Sequence, residues 1–285
     1  MGLTDNFFIN NEPIFSGKIR QIYEYSPDTY LIKTSDKISA FDFVFDDEIK
    51  TKGQLLTDIT KFWFKKTSKI IDNHYLESEI LQHKLPNNYS SCMLVKKCEP
   101  IRIEAIVRGY LCGSAYDEYI KYGTVSGMKM DKHLKMNSRF ENPIFTPSTK
   151  AEIGDKDENI DFSEMEISVG KDQANFIRDK SIELYNYAHD YSRDKGLTLI
   201  DTKFEFGIDQ AGKIILIDEI FTPDCSRYCK TTELNNEKVN YFDKQYFRNF
   251  LKNINWKNEQ IKIPNDVKNK VLSKYKEVFK ILIDE

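Results

Sequence analysis

The chain has 285 residues, with 42 Lys and Arg against 45 Asp and Glu and a formal net charge of −3. Hydrophobic residues make up 40% and aromatic residues 13%, which is enough to bury a core and excludes wholesale disorder. The near-neutral balance gives no overall positive field for nucleic acid, and neither a membrane-length apolar run nor a secretory signal is visible. We expect a soluble cytoplasmic protein of one large domain or two modest ones, with no nucleic-acid or membrane partner.

The five cysteines indicate neither a disulfide framework nor a metal centre. Their number is odd and too small to staple a chain of this length. Cys225 and Cys229 are the closest pair, but no His or second Cys pair surrounds them at the spacing of a zinc site. We therefore expect reduced, partly buried thiols.

Short β-like runs dominate the first hundred residues. Two of them flank a Ser-Pro-Asp turn at residues 26–28 and predict a hairpin over 19–25 and 29–33. Further strands are expected over residues 41–45, 93–98 and 102–107, and a helix over about 55–69.

Longer helices follow this β-rich part. Apolar residues repeat at helical spacing from Ala174 to Tyr191, with Gly196 as a stop signal. A second stripe, from Val267 to Leu282, predicts a last helix that docks on the surface. The pattern favours an α+β fold of two lobes with a cleft between them, divided into residues 1–100 and 101–285.

A small turn at residues 16–20 is the first candidate site. Gly17 would let backbone N–H groups approach an anion closely, and Lys18 and Arg20 supply positive charge there. The segment matches neither a Walker loop nor a dinucleotide fingerprint. An ordinary hairpin turn with solvated basic residues is the alternative.

Alternating charged residues from 201 to 207 form the second candidate. Strand alternation places Asp201, Lys203 and Glu205 on one face and apolar residues on the other. A turn-forming segment and the run Ile-Ile-Leu-Ile-Asp-Glu at residues 214–219 follow. The pattern predicts a β-hairpin with acidic and basic groups on one face.

The register of this hairpin decides whether it forms a metal site. A four-residue loop would pair Ile208 with Lys213 and place Lys203 opposite Asp218, with Glu205 as the diagonal neighbour of Asp218 at about 7–8 Å. Two carboxylates so placed suit Mg²⁺, which takes one or two protein oxygens plus phosphates and water. A shift of one residue would turn Asp218 to the other face. A surface hairpin with cross-strand ion pairs is the alternative.

A predicted helix start is the third candidate. Ser114 and Asp117 fit a capping box, which predicts a helix from about Ala115. Gly113 precedes it and Arg108 lies close by in sequence, so the helix N-terminus would suit a phosphate. Helix capping alone explains Ser114 equally well.

Two polar loops complete the candidates. Residues 143–152 carry two prolines, three hydroxyls and Lys150, and residues 35–42 include Asp36 and Ser39. Such loops suit polar recognition better than a core. A structural role is the alternative for each.

Together, seven segments resemble the SAICAR synthetase family of purine biosynthesis. They occur in the family's order and span about residues 13 to 230. They are Gly17–Tyr23, Ser35–Asp42, Glu104–Ser114, Pro143–Glu152, Asp157–Ile160, Asp201–Gly207 and Asp218–Tyr228.

The resemblance implies an ATP-dependent ligase. The family joins 5-aminoimidazole-4-carboxylate ribonucleotide to L-aspartate and converts ATP to ADP and phosphate. Because a carboxylate is a poor electrophile, the resemblance implies its activation as an acyl phosphate, which the aspartate amine attacks. It also implies a fold related to ATP-grasp and kinase lobes, with ATP between the β-rich part and the α+β remainder.

The resemblance also assigns a nucleotide site. Gly17, Lys18 and Arg20 would lie over the ATP phosphates. Lys97 would border adenine and Glu104 would meet its ribose. Glu205 and Asp218 would hold Mg²⁺. Lys203 would be the catalytic residue and would stabilise charge during phosphoryl transfer.

Substrate contacts follow from the same resemblance. Arg108, Ser114 and Arg227 would grip the 5′-phosphate of the ribonucleotide, in agreement with the helix-terminus interpretation. The substrate pocket would be lined by Asp36, Ser39, Lys150 and Asp224. Neither the imidazole nor aspartate is assigned to any one of these four.

Two positions depart from the family pattern. Lys156 stands where the family usually has His before Asp-Glu-Asn, and an ordinary Lys is protonated near neutral pH. We expect Lys156 to act away from the reacting atoms. Cys225 stands in a loop that is usually rich in Ser, Gly or Thr, where a thiol would make the site sensitive to oxidation.

Two other classes of protein are alternatives. A kinase-like phosphotransferase would share the phosphate loop and the Glu205–Asp218 pair without requiring a second phosphate site. A non-catalytic nucleotide- or RNA-binding module would use the Tyr- and Lys-rich surface, but it leaves the charged face around Lys203 unexplained. The sequence leaves open whether the protein is a monomer or a homo-oligomer.

Overall fold

The computed structural model describes residues 7–77, 89–150, 158–234 and 239–283, and its architecture is α+β, as predicted. The strands are β1 (Phe15–Ser16), β2 (Arg20–Ser26), β3 (Thr29–Thr34), β4 (Lys37–Ala40), β5 (Phe43–Glu48), β6 (Cys92–Lys96), β7 (Glu99–Tyr110), β8 (Thr124–Val125), β9 (Met128–Lys129), β10 (Arg139–Phe145), β11 (Ser148–Thr149), β12 (Leu197–Ile208), β13 (Ile214–Ile217) and β14 (Ser226–Lys230). The helices are α1 (Phe7–Asn10), α2 (Lys52–Lys66), α3 (Ser114–Tyr122), α4 (Phe162–Val169), α5 (Lys171–Asp194), α6 (Gln245–Asn253) and α7 (Asn265–Ile283), with a 3₁₀ turn at Thr231–Glu233. No helix in these ranges is long and apolar enough to cross a membrane.

The first sheet is antiparallel, with the order β1-β2-β3-β6. Its β2–β3 hairpin confirms the predicted pair of strands, with Tyr23 opposite Leu31. The strand predicted over residues 41–45 is wrong at its start. Phe41 and Asp42 have positive φ angles of 53° and 62° and form the turn between β4 and β5.

The second sheet has six strands and carries most of the candidate site. Its order is β10-β7-β12-β13, with β11 also on β7 and β14 also on β12. The long central strands β7 and β12 pair antiparallel, with Asp201 opposite Arg108 and Glu205 opposite Glu104. The charged residues of two distant segments therefore meet on neighbouring strands.

Helix α2 begins three residues before the predicted start. Both carboxylate oxygens of Asp36 accept backbone N–H groups there, from Thr51 at 3.0 Å and from Gly53 at 2.9 Å. Such bonds satisfy N–H groups that the first turn of a helix leaves without partners. Because the capping residue lies far back in the chain, the sequence around the helix does not indicate this start.

Helix α5 packs directly on the central strands. A side chain at Gly109 would collide with the ring of Tyr185, whose hydroxyl donates to the carbonyl of Leu199 at 2.7 Å. Glycine at this position therefore lets the helix approach β7 next to Arg108. The predicted stop is confirmed, since Gly196 has a positive φ of 85° after the helix ends.

The last helix, α7, packs one face against the core and leaves the other to solvent, as predicted. Its buried residues Val267, Val271 and Tyr275 pack in one apolar cluster with Ile38 and Phe45 from the first fifty residues. Its final turns join the main core beneath the second sheet. The first and last segments of the chain thus share a core. The division at residue 100 stays a prediction.

Candidate active site

A cluster of lysines and glutamates lies on the central strands β7 and β12. The ammonium group of Lys203 contacts Glu104 and lies 3.2 Å from Glu205 Oε1, and Lys150 pairs with the other oxygen of Glu205. Burial alone would raise the pKa of Glu205, but the charges of Lys203 and Lys150 outweigh it and lower the pKa to about 2. Glu205 is therefore ionised at neutral pH.

Lys203 keeps its proton in this cluster. Burial lowers its pKa, but Glu205 and Glu104 together raise it above the ordinary lysine value. The side chain is thus a fixed positive charge flanked by two carboxylates. It is unsuited to act as a general base near neutral pH.

The predicted register of the β12–β13 hairpin is wrong by one residue. Ile208 pairs with Ile214, and Glu205 lies opposite Ile217. The loop is one residue longer than expected because the Asp209 carboxylate accepts two backbone N–H groups inside it, a local bond that extends the turn. Lys203 does not lie opposite Asp218.

A backbone turn nevertheless brings Asp218 to the cluster. Strand β13 ends at Ile217, and Asp218 has a positive φ of 63°. Burial raises the pKa of Asp218; Arg20 opposes this, and the nearby charge of Glu205 adds to it. The two predicted metal ligands are therefore close enough for the charge of one to act on the other. The turn at Asp218 brings them together, not the predicted pairing of the strands.

This pair fits Mg²⁺ better than a metal held by protein alone. In the described ranges, no group of three or more His, Cys, Asp or Glu side chains is arranged to hold a metal ion. Mg²⁺ is commonly bound by one or two carboxylates together with substrate phosphates and water. Glu205 and Asp218 supply such a set.

Arg20 connects the first sheet to this region. Its guanidinium lies 3.2 Å from Asp218 and 2.6 Å from Glu219, and it is largely buried. Gly17 lies in the preceding turn, where its N–H bonds to the carbonyl of Arg20, and Lys18 forms an exposed ion pair with Asp42 at 2.5 Å. The structure thus places Arg20 against a predicted metal ligand, while Lys18 lies at the surface.

Lys97 lies just before the long strand β7. Its ammonium group pairs with Glu24 at 2.5 Å and lies 4.8 Å above the ring of Tyr30. Its contact with adenine stays a prediction, as does the contact of Glu104 with ribose.

A second cluster brings together the three residues predicted to bind a phosphate. Asp201 lies between Arg108 and Arg227, 3.2 Å from a nitrogen of each. Arg108 also donates to Ser114 at 3.3 Å and to Thr146 at 3.0 Å. We call this group the arginine clamp. Sequence reasoning missed the roles of Asp201 and Thr146, although strand alternation does place Asp201 on the charged face.

The predicted capping box at Ser114 does not form. Helix α3 begins at Ser114 itself, Gly113 is the N-cap, and no side chain caps the helix. The Ser114 hydroxyl instead faces Arg108. Gly113 has a positive φ of 59°, and a side chain there would collide with the guanidinium of Arg227. The positive φ favours glycine at this position, and a larger residue would also have to displace the guanidinium of Arg227.

Asp224 lies in a buried ionic network outside both clusters. Its carboxylate is 1% exposed and pairs with Lys52 at 2.9 Å and Lys244 at 3.1 Å. Tyr275 donates to its other oxygen at 2.5 Å, and Lys244 also donates to Ser39 at 3.3 Å. Sequence reasoning missed these partners, because an isolated Lys or Tyr carries no signal of burial.

Of the other predicted site residues, Asp36 caps α2 and Lys150 reaches Glu205. Lys156, Asp157 and Glu152 lie outside the described residues. Burial raises the pKa of the Cys225 thiol to about 12. A thiol that stays protonated is a poor nucleophile, which argues against the expected sensitivity to oxidation.

Known proteins resemble this chain over nearly its whole length. The SAICAR synthetase family model matches residues 13–263. The phosphoribosylaminoimidazole-succinocarboxamide synthase of Histophilus somni is 42% identical over 279 residues, covering 94% of this chain and 96% of the relative. That of Neisseria meningitidis serogroup C is 40% identical over 280 residues, covering 95% and 97%. The solved SAICAR synthase of Saccharomyces cerevisiae, complexed with SAICAR, has a TM-score of 0.85 at 35% identity and covers 100% of this chain and 98% of its own.

A fold shared with these synthases over its full length defines the class of this protein, an ATP-dependent, ADP-forming carbon–nitrogen ligase. The chain belongs to the SAICAR synthetase family. Its reaction joins 5-aminoimidazole-4-carboxylate ribonucleotide and L-aspartate in purine biosynthesis.

Proposed function

We propose that one face of β12 orders the reaction, with the ribonucleotide phosphate beside Asp201 and the triphosphate beside Lys203 and Glu205. Successive residues on one strand face lie about 7 Å apart, so these three positions form a row of phosphate-sized steps. Support comes from β7, which places Arg108 opposite Asp201 and Glu104 opposite Glu205. The convergence of the arginine clamp carries the proposal, because a simple kinase site would need no second phosphate site.

Magnesium belongs at Glu205 and Asp218. The low pKa of Glu205 keeps one ligand ionised at neutral pH, and the turn at Asp218 brings in the second. When bound, Mg²⁺ neutralises phosphate charge and aligns the triphosphate. Arg20 holds Asp218 in place from the first sheet.

The nucleotide lies between the two sheets. Gly17, Lys18 and Arg20 cover its phosphates, Lys97 borders adenine, and Glu104 meets the ribose. Arg20 supports this placement, since it already reaches Asp218 from the phosphate turn. Lys18, exposed and paired only with Asp42 among the described residues, is free to exchange that ion pair for a phosphate.

Lys203 stabilises the phosphoryl group during transfer. The γ-phosphoryl group moves from ATP to the carboxylate of the ribonucleotide, and ADP leaves. The aspartate amine then attacks the acyl carbon of this acyl phosphate, forming the amide as phosphate departs. A permanently charged ammonium group suits this role, because most of the catalytic effect in phosphoryl transfer comes from positioning and charge.

The arginine clamp binds the 5′-phosphate of the ribonucleotide. Arg108 and Arg227 share the single carboxylate of Asp201, and Ser114 lies within reach of Arg108. Guanidinium groups bind phosphate well because they present paired donors. The clamp thus keeps positive charge available for an incoming dianion.

The remaining pocket residues divide by their contacts. Lys150, paired with Glu205, carries a charge that a substrate carboxylate would meet, and Ser39 is buried and accepts a hydrogen bond from Lys244. Asp36 and Asp224 are occupied, the first at the start of α2 and the second by Lys52 and Lys244. We propose that these two shape the pocket by holding its neighbours.

Substrate omission tests the whole assignment. We expect ADP release that depends jointly on Mg²⁺, the carboxylate ribonucleotide and L-aspartate. ADP formed at the full rate without aspartate would contradict an amide-forming ligase and favour a phosphotransferase. No ADP with all three present would remove the ligase assignment.

A further inference from the structure

The buried carboxylate of Asp224 joins three distant parts of the chain. Lys52 comes from the start of α2, Lys244 from the residue before α6, and Tyr275 from the middle of α7. Tyr275 is the donor to Oδ1, while the two ammonium groups share Oδ2. A buried charge of this kind is stable only when its oxygens are fully hydrogen-bonded.

A chain of hydrogen bonds leads from Asp224 back along its loop. The Asp224 N–H donates to the Thr222 hydroxyl at 3.2 Å, and that hydroxyl donates to Glu219. Glu219 pairs with Arg20, which also holds Asp218. The contacts therefore run without a break from α7 to the carboxylate assigned to the metal.

The loop between these residues is strained. Asp218 and Phe221 both have positive φ angles, 63° and 56°, which side chains larger than glycine rarely adopt. Such a conformation persists only when surrounding contacts hold it. The Asp224 network supplies those contacts at one end, and Arg20 supplies them at the other.

We propose that Tyr275 is a positioning residue for Asp218, acting through Asp224 and Thr222. Tyr275 touches neither substrate nor metal in this proposal. Its hydroxyl fixes the Asp224 carboxylate, which sets the loop and thereby the direction of Asp218. The inference rests on the proposed assignment of Asp218 to Mg²⁺.

The substitution Tyr275→Phe removes the hydroxyl and keeps the ring in the core. We expect the Mg²⁺ concentration for half-maximal ligase rate, at saturating ATP, ribonucleotide and aspartate, to rise about 3- to 10-fold. The matched control is Tyr191→Phe, since the Tyr191 hydroxyl also bonds to α7, but to the carbonyl of Leu282 at 3.0 Å instead of Asp224. This control should leave the Mg²⁺ dependence unchanged.

An independent variant tests the same chain at its middle. Thr222→Val breaks the bond to Glu219 without touching α7, and we expect a shift of the same sign. If thermal unfolding shows that Tyr275→Phe does not fold, Thr222→Val is the variant that tests the proposal. An unchanged Mg²⁺ dependence in folded Tyr275→Phe, an unchanged dependence in Thr222→Val, or an equal shift in Tyr191→Phe would overturn the inference.

The variant Asp218→Asn tests the assignment of Asp218 to Mg²⁺ separately from the positioning role of Tyr275. If that variant raises the Mg²⁺ requirement strongly while Tyr275→Phe and Thr222→Val do not, the positioning role is wrong and the metal assignment survives. If Asp218→Asn leaves the Mg²⁺ dependence unchanged, the metal assignment itself is wrong, and the positioning role is overturned with it.

Discussion

The two charged clusters differ in their balance of acidic and basic side chains among the described residues. In the arginine clamp, Arg108 and Arg227 share the one carboxylate of Asp201. Around Lys203, the contacts seen among residues 7–77, 89–150 and 158–234 bring together Glu104, Glu205, Asp218 and Glu219 with Arg20, Lys150 and Lys203. The clamp is thus rich in guanidinium groups, and the group around Lys203 is rich in carboxylates.

This difference supports the proposed phosphate site and the proposed metal site on the same sheet. A clamp with a spare guanidinium charge suits a phosphate, whereas a surplus of carboxylates suits a metal ion that brings its own phosphates. Both clusters are built from acidic and basic side chains on neighbouring strands. We propose that the ratio of acids to bases, rather than any single motif, decides which ligand each cluster favours.

The largest expected effect is on kcat, from a substitution in the cluster around Lys203. Lys203→Ala should lower kcat about 100- to 1000-fold, because the variant loses a charge that acts on the transferring phosphoryl group. The KM for the ribonucleotide should change far less. Steady-state kinetics and circular dichroism measure both the rate and the retained fold.

Lys213→Ala is the matched control for that variant. Lys213 lies on the same hairpin but is exposed and paired with Asp72, so its kinetics should match the parent protein. Unchanged turnover in Lys203→Ala would remove Lys203 from the mechanism.

A smaller effect, on KM rather than kcat, is expected from a substitution in the arginine clamp. Arg227→Ala should raise the KM for the ribonucleotide about 10- to 100-fold with a modest change in kcat, since one charged hydrogen-bonding partner of the phosphate is lost. Titration of each substrate in turn measures this. Arg178→Ala, at an exposed pair with Asp179, is the control. A change in the KM for ATP alone would show that the phosphate assignment is wrong.

The smallest effect distinguishes two helix starts that look alike in sequence. Asp161 forms a true capping box with Glu164 at the start of α4, whereas Ser114 faces Arg108 instead. Asp161→Ala should lower the melting temperature by a few degrees and leave KM unchanged, because it removes a cap. Ser114→Ala should raise the KM for the ribonucleotide a few-fold with little change in melting temperature. The reverse pattern would mean that Ser114 serves only the helix.

Local patterns sufficed for much of the fold. Alternation placed Asp201, Lys203 and Glu205 on one face, and the turn between β2 and β3 was visible from its Ser-Pro-Asp residues. The start of α2 was not predictable, because its cap, Asp36, lies on another element. Contacts between distant segments leave no trace in local sequence.

The geometry of the candidate site was even harder to predict from local sequence than the fold. The register of the β12–β13 hairpin depended on the extra residue that Asp209 accommodates, and the positive φ of Asp218 then compensated for the shift. Neither conformation follows from residue type alone. Lys52 and Tyr275 were invisible for another reason, since burial of a polar side chain depends on the packing of the whole chain.

The core shared by the beginning and the end of the chain has a consequence for biosynthesis. Ile38 and Phe45 leave the ribosome early, but their apolar partners on α7 are translated much later. Until α7 has been made, Ile38 and Phe45 lack part of their apolar cover, and exposed apolar surface of this kind calls for chaperones. A chain that stops before residue 265 therefore lacks part of the core that its first fifty residues share with α7.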